Sequence, residues 1–102
     1  EPVQVDNTLE FATLKMDLNR KQCTLDGKEV MMTKKEFEIL ALLLQNKNVI
    51  FSRQDILSRV WDDEVVVVDR TIDVFITRLR KKIGAYGKHI VTRLGYGYGF
   101  YE

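Results

Sequence analysis

The chain has one cysteine, Cys23, one histidine, His89, and one proline, Pro2. A single cysteine excludes a disulfide within the chain and a cysteine-based zinc cluster. A single histidine leaves almost no ligand set for a transition metal and no Ser/His/Asp constellation beyond His89 itself. Neither a metal nor a cofactor is expected. Long apolar runs are also missing. The longest, Ile39 to Leu44, has six residues, where a membrane span needs about 20. No basic-then-apolar segment stands at the start. No glycine-rich loop precedes a helix, because Gly95, Gly97 and Gly99 fall in a predicted hairpin, so catalysis is not expected. What is present is an ordinary globular balance over 102 residues, with 45% hydrophobic and 30% charged residues. A chain of this size hides about two-thirds of its surface on folding, enough for one modest core. These absences predict one small cytoplasmic domain that is not an enzyme and meets no membrane.

Net charge is only +1, but it is unevenly placed. Nine basic and twelve acidic residues stand between Glu1 and Val68, against seven basic and two acidic between Asp69 and Arg93. Positive charge is therefore concentrated in one quarter of the chain. A polyanion-binding surface needs such a patch, because each neutralised phosphate releases condensed counterions. A solvated helix face carrying Lys and Arg for solubility would give the same count.

Residues 1–8 show no clear period and read as a linker or frayed start, leaving 9–102 as the domain. Leu9, Phe11, Leu14, Met16 and Leu18 alternate, and Gln22–Leu25 and Lys28–Met32 flank the two-residue hairpin signal Asp26-Gly27. The first third thus predicts three or four short antiparallel strands. Thr33 and Glu36 form a capping box, and Phe37, Leu40, Ala41 and Leu44 carry a helix over about 34–45. Ser52 and Asp55 repeat the signal for a helix over about 53–60. Residues 61–68 combine an aromatic, three acids and four valines. They read equally as strand or loop, with Val66 or Val68 packing down. Asp69 is expected to cap a third helix that runs to Ile83 and stops at Gly84. A strand pair, His89–Leu94 and Tyr98–Tyr101, closes the chain. Cys23 is expected to be buried and His89 to lie on the surface. Strands, helix, helix, loop, helix and hairpin in this order describe an α+β winged helix-turn-helix.

At about 100° per residue, Ile72, Phe75, Ile76, Leu79 and Ile83 share one stripe of the third helix and should be buried. Arg70, Val74, Thr77 and Lys81 face away, bordered by Thr71 and Arg78, with Asp73 and Arg80 on the other shoulder. This is the vocabulary of a major-groove reader. Arg pairs with the O6 and N7 of guanine, Thr and Val meet a thymine methyl, and Asp accepts from cytosine N4. The helix is about 21 Å long, which suits the groove. Asp73 could instead pair with Arg70 or Thr77 at helical spacing. A protein-interaction module without DNA binding is the alternative reading, and the stripe of Arg70, Arg78 and Lys81 argues against it.

Five ordered motifs carry a resemblance. They are Asp26-Gly27 to Met32-Thr33 with Glu36–Leu40, then Ser52–Leu57 with Val60-Trp61, then Asp69–Ile76, Arg78–Lys82 and Gly95–Phe100. Over residues 9–101 the chain resembles the C-terminal effector domain of OmpR/PhoB-type bacterial response regulators. The resemblance implies a four-stranded N-terminal antiparallel sheet, a three-helix core and a C-terminal hairpin wing. It implies sequence-specific binding of double-stranded DNA for transcription regulation, with helix 70–83 in the major groove and wing 89–101 at the minor groove. Arg78, Val74, Thr71 and Asp73 are the implied base contacts. Arg53, Arg70, Thr77, Arg80, Lys81, Thr92 and Tyr98 are the implied phosphate contacts, and Arg93 the minor-groove contact. Loop 61–69, through Trp61, Asp62, Glu64, Val67 and Asp69, is implied to meet RNA polymerase, although Trp61 by itself reads first as a core or cap residue and only second as partner-facing. The partners implied are tandem DNA half-sites, a receiver domain and a sensor kinase, and the chain reads as an isolated effector fragment that is monomeric in solution. The pattern departs from the family at the wing, where Thr-Val-Arg-Gly is usual and Thr92-Arg93-Leu94-Gly95 stands. By strand alternation this register puts Leu94 in the groove-facing place and Arg93 toward the domain, unless a bulge at Gly95 turns Arg93 outward. Phe75, Thr77 and Gln54 also replace residues that are basic, basic and acidic in many relatives.

Overall fold

Short alternating strands, each too small to stand alone, make the N-terminal layer. In the computed structural model, which describes residues 7–61 and 67–102, β1 (Thr8–Phe11), β2 (Leu14–Asp17), β3 (Gln22–Leu25) and β4 (Lys28–Val30) form one antiparallel sheet in that order. Leu14 and Met16 are buried while Lys15 between them is exposed, and Cys23 lies opposite Met16 in the ladder. Burial pushes the Cys23 thiol up to about 11, so it acts as a small hydrophobe. Asp26 and Gly27 both take positive φ, the requirement of the tight hairpin that joins β3 to β4.

Three helices follow: α1 (Lys34–Gln45), α2 (Arg53–Val60) and α3 (Arg70–Lys82). Both expected capping boxes form. The Glu36 amide donates to the Thr33 hydroxyl at 3.2 Å and the Thr33 amide to Glu36 Oε1 at 2.9 Å. Ser52 and Asp55 make the same exchange at 3.0 and 3.3 Å. Leu40, Leu43, Ile56, Ile72, Ile76, Leu79 and Ile83 meet in one core with Leu14, Met16 and Phe100.

Glu36 is 1% exposed yet charged. Its carboxylate accepts from Lys82 Nζ at 2.6 Å, which ties the start of α1 to the end of α3. Burial opposes ionisation, but the bonds from Lys82 and the Thr33 amide outweigh it and hold the carboxyl below the usual range.

Four expectations need correction. Asp69 does not cap α3. Its own backbone is helical (φ −54, ψ −34), whereas a capping side chain folds back from extended backbone, and its Oδ1 accepts instead from Gln54 Nε2 at 3.1 Å. Helix α3 ends at Lys82, and a 3₁₀ segment, Gly84–His89, intervenes before the wing strands β5 (Ile90–Arg93) and β6 (Gly97–Phe100). Edge-on aromatic packing explains that segment. Tyr86 and His89 both lie against Phe11, and His89 stacks on Phe100, so His89 is half-buried and not a surface residue. Phe75 is only half-buried, with its ring 5.5 Å from that of Trp61. Of the alternatives Val66 or Val68 for packing down, Val68 is 66% exposed and Val66 lies outside the described residues.

The wing is fastened to the body by backbone. Phe51 and Tyr98 exchange amide-to-carbonyl bonds of 2.8 and 2.9 Å, and the Asn48 amide donates to the Phe100 carbonyl at 2.7 Å. Gly97 makes this approach possible. Its φ is +144, and a Cβ there would stand 1.9 Å from the Phe51 carbonyl oxygen. Gly97→Ala is therefore expected to lower stability by at least about 1 kcal/mol, read as a drop of several degrees in Tm. An unchanged Tm would mean that the wing stands off the body in solution.

Candidate nucleic-acid interface

The interface is built on α3, because its two faces are so unlike. Ile72, Ile76 and Leu79 are buried, which orients the rest. Arg70, Val74, Thr77, Arg78 and Lys81 are exposed, with Val74 45% exposed among the cations. Thr71 sits half-buried at the border. Arg80, Lys81 and Lys82 occupy the last turn, where cations complement the helix dipole.

Several of the side chains assigned to DNA by sequence are bound to one another. Arg53, at the start of α2, donates from Nε to Asp73 Oδ1 and from Nη2 to Oδ2, each at 3.0 Å. The Tyr98 hydroxyl of β6 donates to the same Oδ1. Asp73 thus joins α2, α3 and the wing, and both of its oxygens are occupied. The alternative pairing with Arg70 or Thr77 does not form through the carboxylate; Thr77 Oγ1 donates to the Asp73 backbone carbonyl at 3.0 Å. The Tyr98 bond is the main cause that holds the Asp73 carboxyl below its usual range; burial opposes it and Arg53 reinforces it. Burial first, and then the Asp73 carboxylate, push the Tyr98 hydroxyl up.

Arg80 makes a second brace. Its Nε and Nη2 donate to the Ile90 carbonyl at 3.0 and 2.6 Å, and Nη2 also donates to Thr92 Oγ1 at 2.8 Å. Arg78 projects outward with its guanidinium 5.8 Å from the Phe75 ring. Arg93 is exposed, and its guanidinium lies 5.4 Å from the Tyr101 ring. Thr92 turns to Arg80, so alternation sends Arg93 to the opposite face. In the loop, Trp61 and Val67 are half-buried and Asp69 is exposed on the α2 side, while Asp62 and Glu64 lie outside the described residues. Lys35 Nζ lies 5.3 Å from the Trp61 ring and donates to the Val60 carbonyl at 2.7 Å, so Trp61 closes the end of α2. The sequence reading missed the bonds from Gln54 to Asp69, from Lys82 to Glu36 and from Arg53 to Asp73. Each joins residues on different elements, 15, 46 and 20 positions apart, where no local spacing signals it.

An antiparallel sheet, three helices and a hairpin wing define a winged helix-turn-helix domain. The family described as "Transcriptional regulatory protein, C terminal" matches residues 27–100. The chain belongs to this family, the effector domains of OmpR/PhoB-type response regulators. It is 37% identical over 98 residues to the transcriptional regulatory protein ResD of Bacillus subtilis, covering 92% of this chain and 41% of ResD. The C-terminal effector domain of BfmR from Acinetobacter baumannii is 37% identical with a TM-score of 0.79, covering 98% of this chain and 94% of that one. The Klebsiella pneumoniae RstA DNA-binding domain, solved in complex with the RstA box, is 31% identical with a TM-score of 0.76, covering 93% and 97%. The chain spans less than half the length of the curated relatives it matches. No helix among the described residues is long and apolar enough to cross a membrane.

The lowered Asp73 carboxyl gives a signed pH dependence. A carboxyl depressed in the folded state adds stability that is present above its unfolded pKa and lost as pH falls through the folded one. Because this pair is partly exposed, Asp73→Asn is expected to cost about 1 kcal/mol or less near neutral pH. It should also flatten the loss of stability below about pH 4. Urea unfolding between neutral pH and pH 3 measures both, and an acid limb as steep as the wild type's would show that the Asp73 bonds do not persist in solution.

Proposed function

We propose that this chain binds double-stranded DNA sequence-specifically as the effector domain of a response regulator, with α3 in the major groove and residues 89–101 at the minor groove. The observation that carries this reading is the exposed row Arg70, Val74, Thr77, Arg78 and Lys81 on the outer face of a helix whose other face is buried. Arg78 pairs with guanine, Val74 meets a thymine methyl, and Thr71 contacts the neighbouring base. Arg70, Thr77 and Lys81 meet phosphates. Arg53 and Arg80 join them with donors to spare: of five N–H groups each, Arg53 uses two inside the domain and Arg80 three. Thr92 orients Arg80 at the backbone. Asp73 acts as the strut that positions Arg53 and Tyr98, with three of its about four acceptor sites taken inside the domain. Tyr98 has one hydroxyl proton and gives it to Asp73, so its part is to hold the wing. Arg93, over Tyr101, adds charge beside the groove.

The loop through Trp61, Asp62, Glu64, Val67 and Asp69 is the surface offered to RNA polymerase. In the full-length protein a receiver domain, addressed by a sensor kinase in the cytoplasm, controls the occupancy of tandem half-sites.

Arg78→Ala is expected to lose about 1–3 kcal/mol of binding to a selected duplex and much less to random DNA. Equal weakening on both would reduce Arg78 to a phosphate contact. The isolated domain is expected to sediment as a monomer at micromolar concentration and to occupy half-sites about one helical turn apart. A tight dimer without DNA would contradict that arrangement.

A further inference from the structure

The wing tip carries the two most exposed large hydrophobic side chains among the described residues, Leu94 at 89% and Tyr96 at 75%. Their position follows from the turn. The Tyr96 amide donates to the Arg93 carbonyl at 2.9 Å, and Gly95 takes φ +84. Those are the marks of a type II turn, whose third position needs positive φ and whose second position stands at the outer corner. Leu94 occupies that corner. The cation beside it has been drawn away, since Arg93 lies over Tyr101 on the face opposite Thr92.

The tip is also held in place. The Phe51–Tyr98 bridge, the clearance at Gly97 and the bond from Tyr98 to Asp73 fix the hairpin relative to α3. The apolar tip therefore keeps a constant offset from α3. An exposed apolar corner is costly in water and useful only when covered. A solvated hairpin tip would serve equally well with Ser or Asn at that corner.

We propose that Leu94, flanked by Tyr96, is an apolar wedge that enters the minor groove and parts a base step, so that this wing reads DNA by deformability and not by an arginine. The proposal rests on the DNA-binding reading above. Apolar side chains inserted from the minor groove partly unstack a step and kink the duplex toward the major groove. Pyrimidine–purine steps yield most easily, so the wing should favour TA or CA/TG at its site over the stiff A-tract that attracts arginine.

The test uses a duplex selected from a random pool by the domain itself, with the wing-side step varied among TA, CA and AA. Binding is followed across a salt series, and the bend by energy transfer between end labels. Leu94→Ala is expected to weaken binding about three- to tenfold, to reduce the bend and to erase the TA preference. The slope of log K against log salt should stay unchanged, because leucine releases no counterions. Leu94→Arg should restore affinity with a slope steeper by about one and a preference shifted to the A-tract. Leu94 is solvent-exposed, so both variants should keep the wild-type Tm, which serves as the folding control.

If Leu94→Ala keeps the wild-type affinity, bend and step preference while Arg78→Ala loses specific binding, the wedge is overturned and the DNA reading stands. If the domain selects no duplex over random DNA, both fall together.

Discussion

A single carboxylate fixes the distance between the two DNA-facing parts of this domain. Asp73 lies on α3, its bidentate partner Arg53 opens α2, and its second partner Tyr98 belongs to the wing. Reading two grooves at once requires that a helix and a hairpin hold a set separation, and a loose pair would lose affinity to the ordering of its parts on binding. The partners are about a third to a half exposed, so the bonds contribute little net stability. Their value lies in direction. A planar guanidinium engaged by two parallel bonds cannot swivel, and a wing strand tied at Tyr98 cannot lift.

The other end of α3 is fixed on a different physical basis. Glu36 is almost wholly buried and receives Lys82 and the Thr33 amide together. Removing either partner there would leave a desolvated charge, which is costly where a surface pair is not. The two anchors also divide the basic segment. Arg80 and Lys82 turn inward to hold the fold, while Arg70, Arg78 and Lys81 remain for a partner. The charge count along the chain therefore overstates the outward field, because it cannot tell a cation that braces from a cation that waits.

Much of this fold is legible residue by residue because its signals are local. Thr33 with Glu36 and Ser52 with Asp55 announce two helix starts at a spacing of three. Asp26-Gly27 announces a hairpin, and the stripe from Ile72 to Ile83 fixes which way α3 faces. The misreadings share one cause, that a tertiary partner outbid a local preference. Asp69 has the chemistry of a cap but lies beside Gln54. His89 has the propensities of a strand start but belongs to an aromatic cluster with Phe11 and Phe100. The residues that face outward were visible in the periodicity of one helix. The residues that hold them in place were not, because their partners come from other elements.

A rigid frame with free tips follows from this division, and the uneven charge gives it an approach direction. The residues before Asp69 carry a net negative charge and the segment from Asp69 to Arg93 a net positive one, within a chain of net charge +1. A polyanion is therefore drawn toward the segment where positive charge is concentrated. Low total charge also limits sequence-independent binding, which scales with the number of phosphates neutralised. A domain so built cannot rely on charge alone to stay on DNA. On the proposed reading, discrimination falls to side chains that are neither braced nor paired, among them Arg78 and Val74 on the helix and Leu94 at the wing tip.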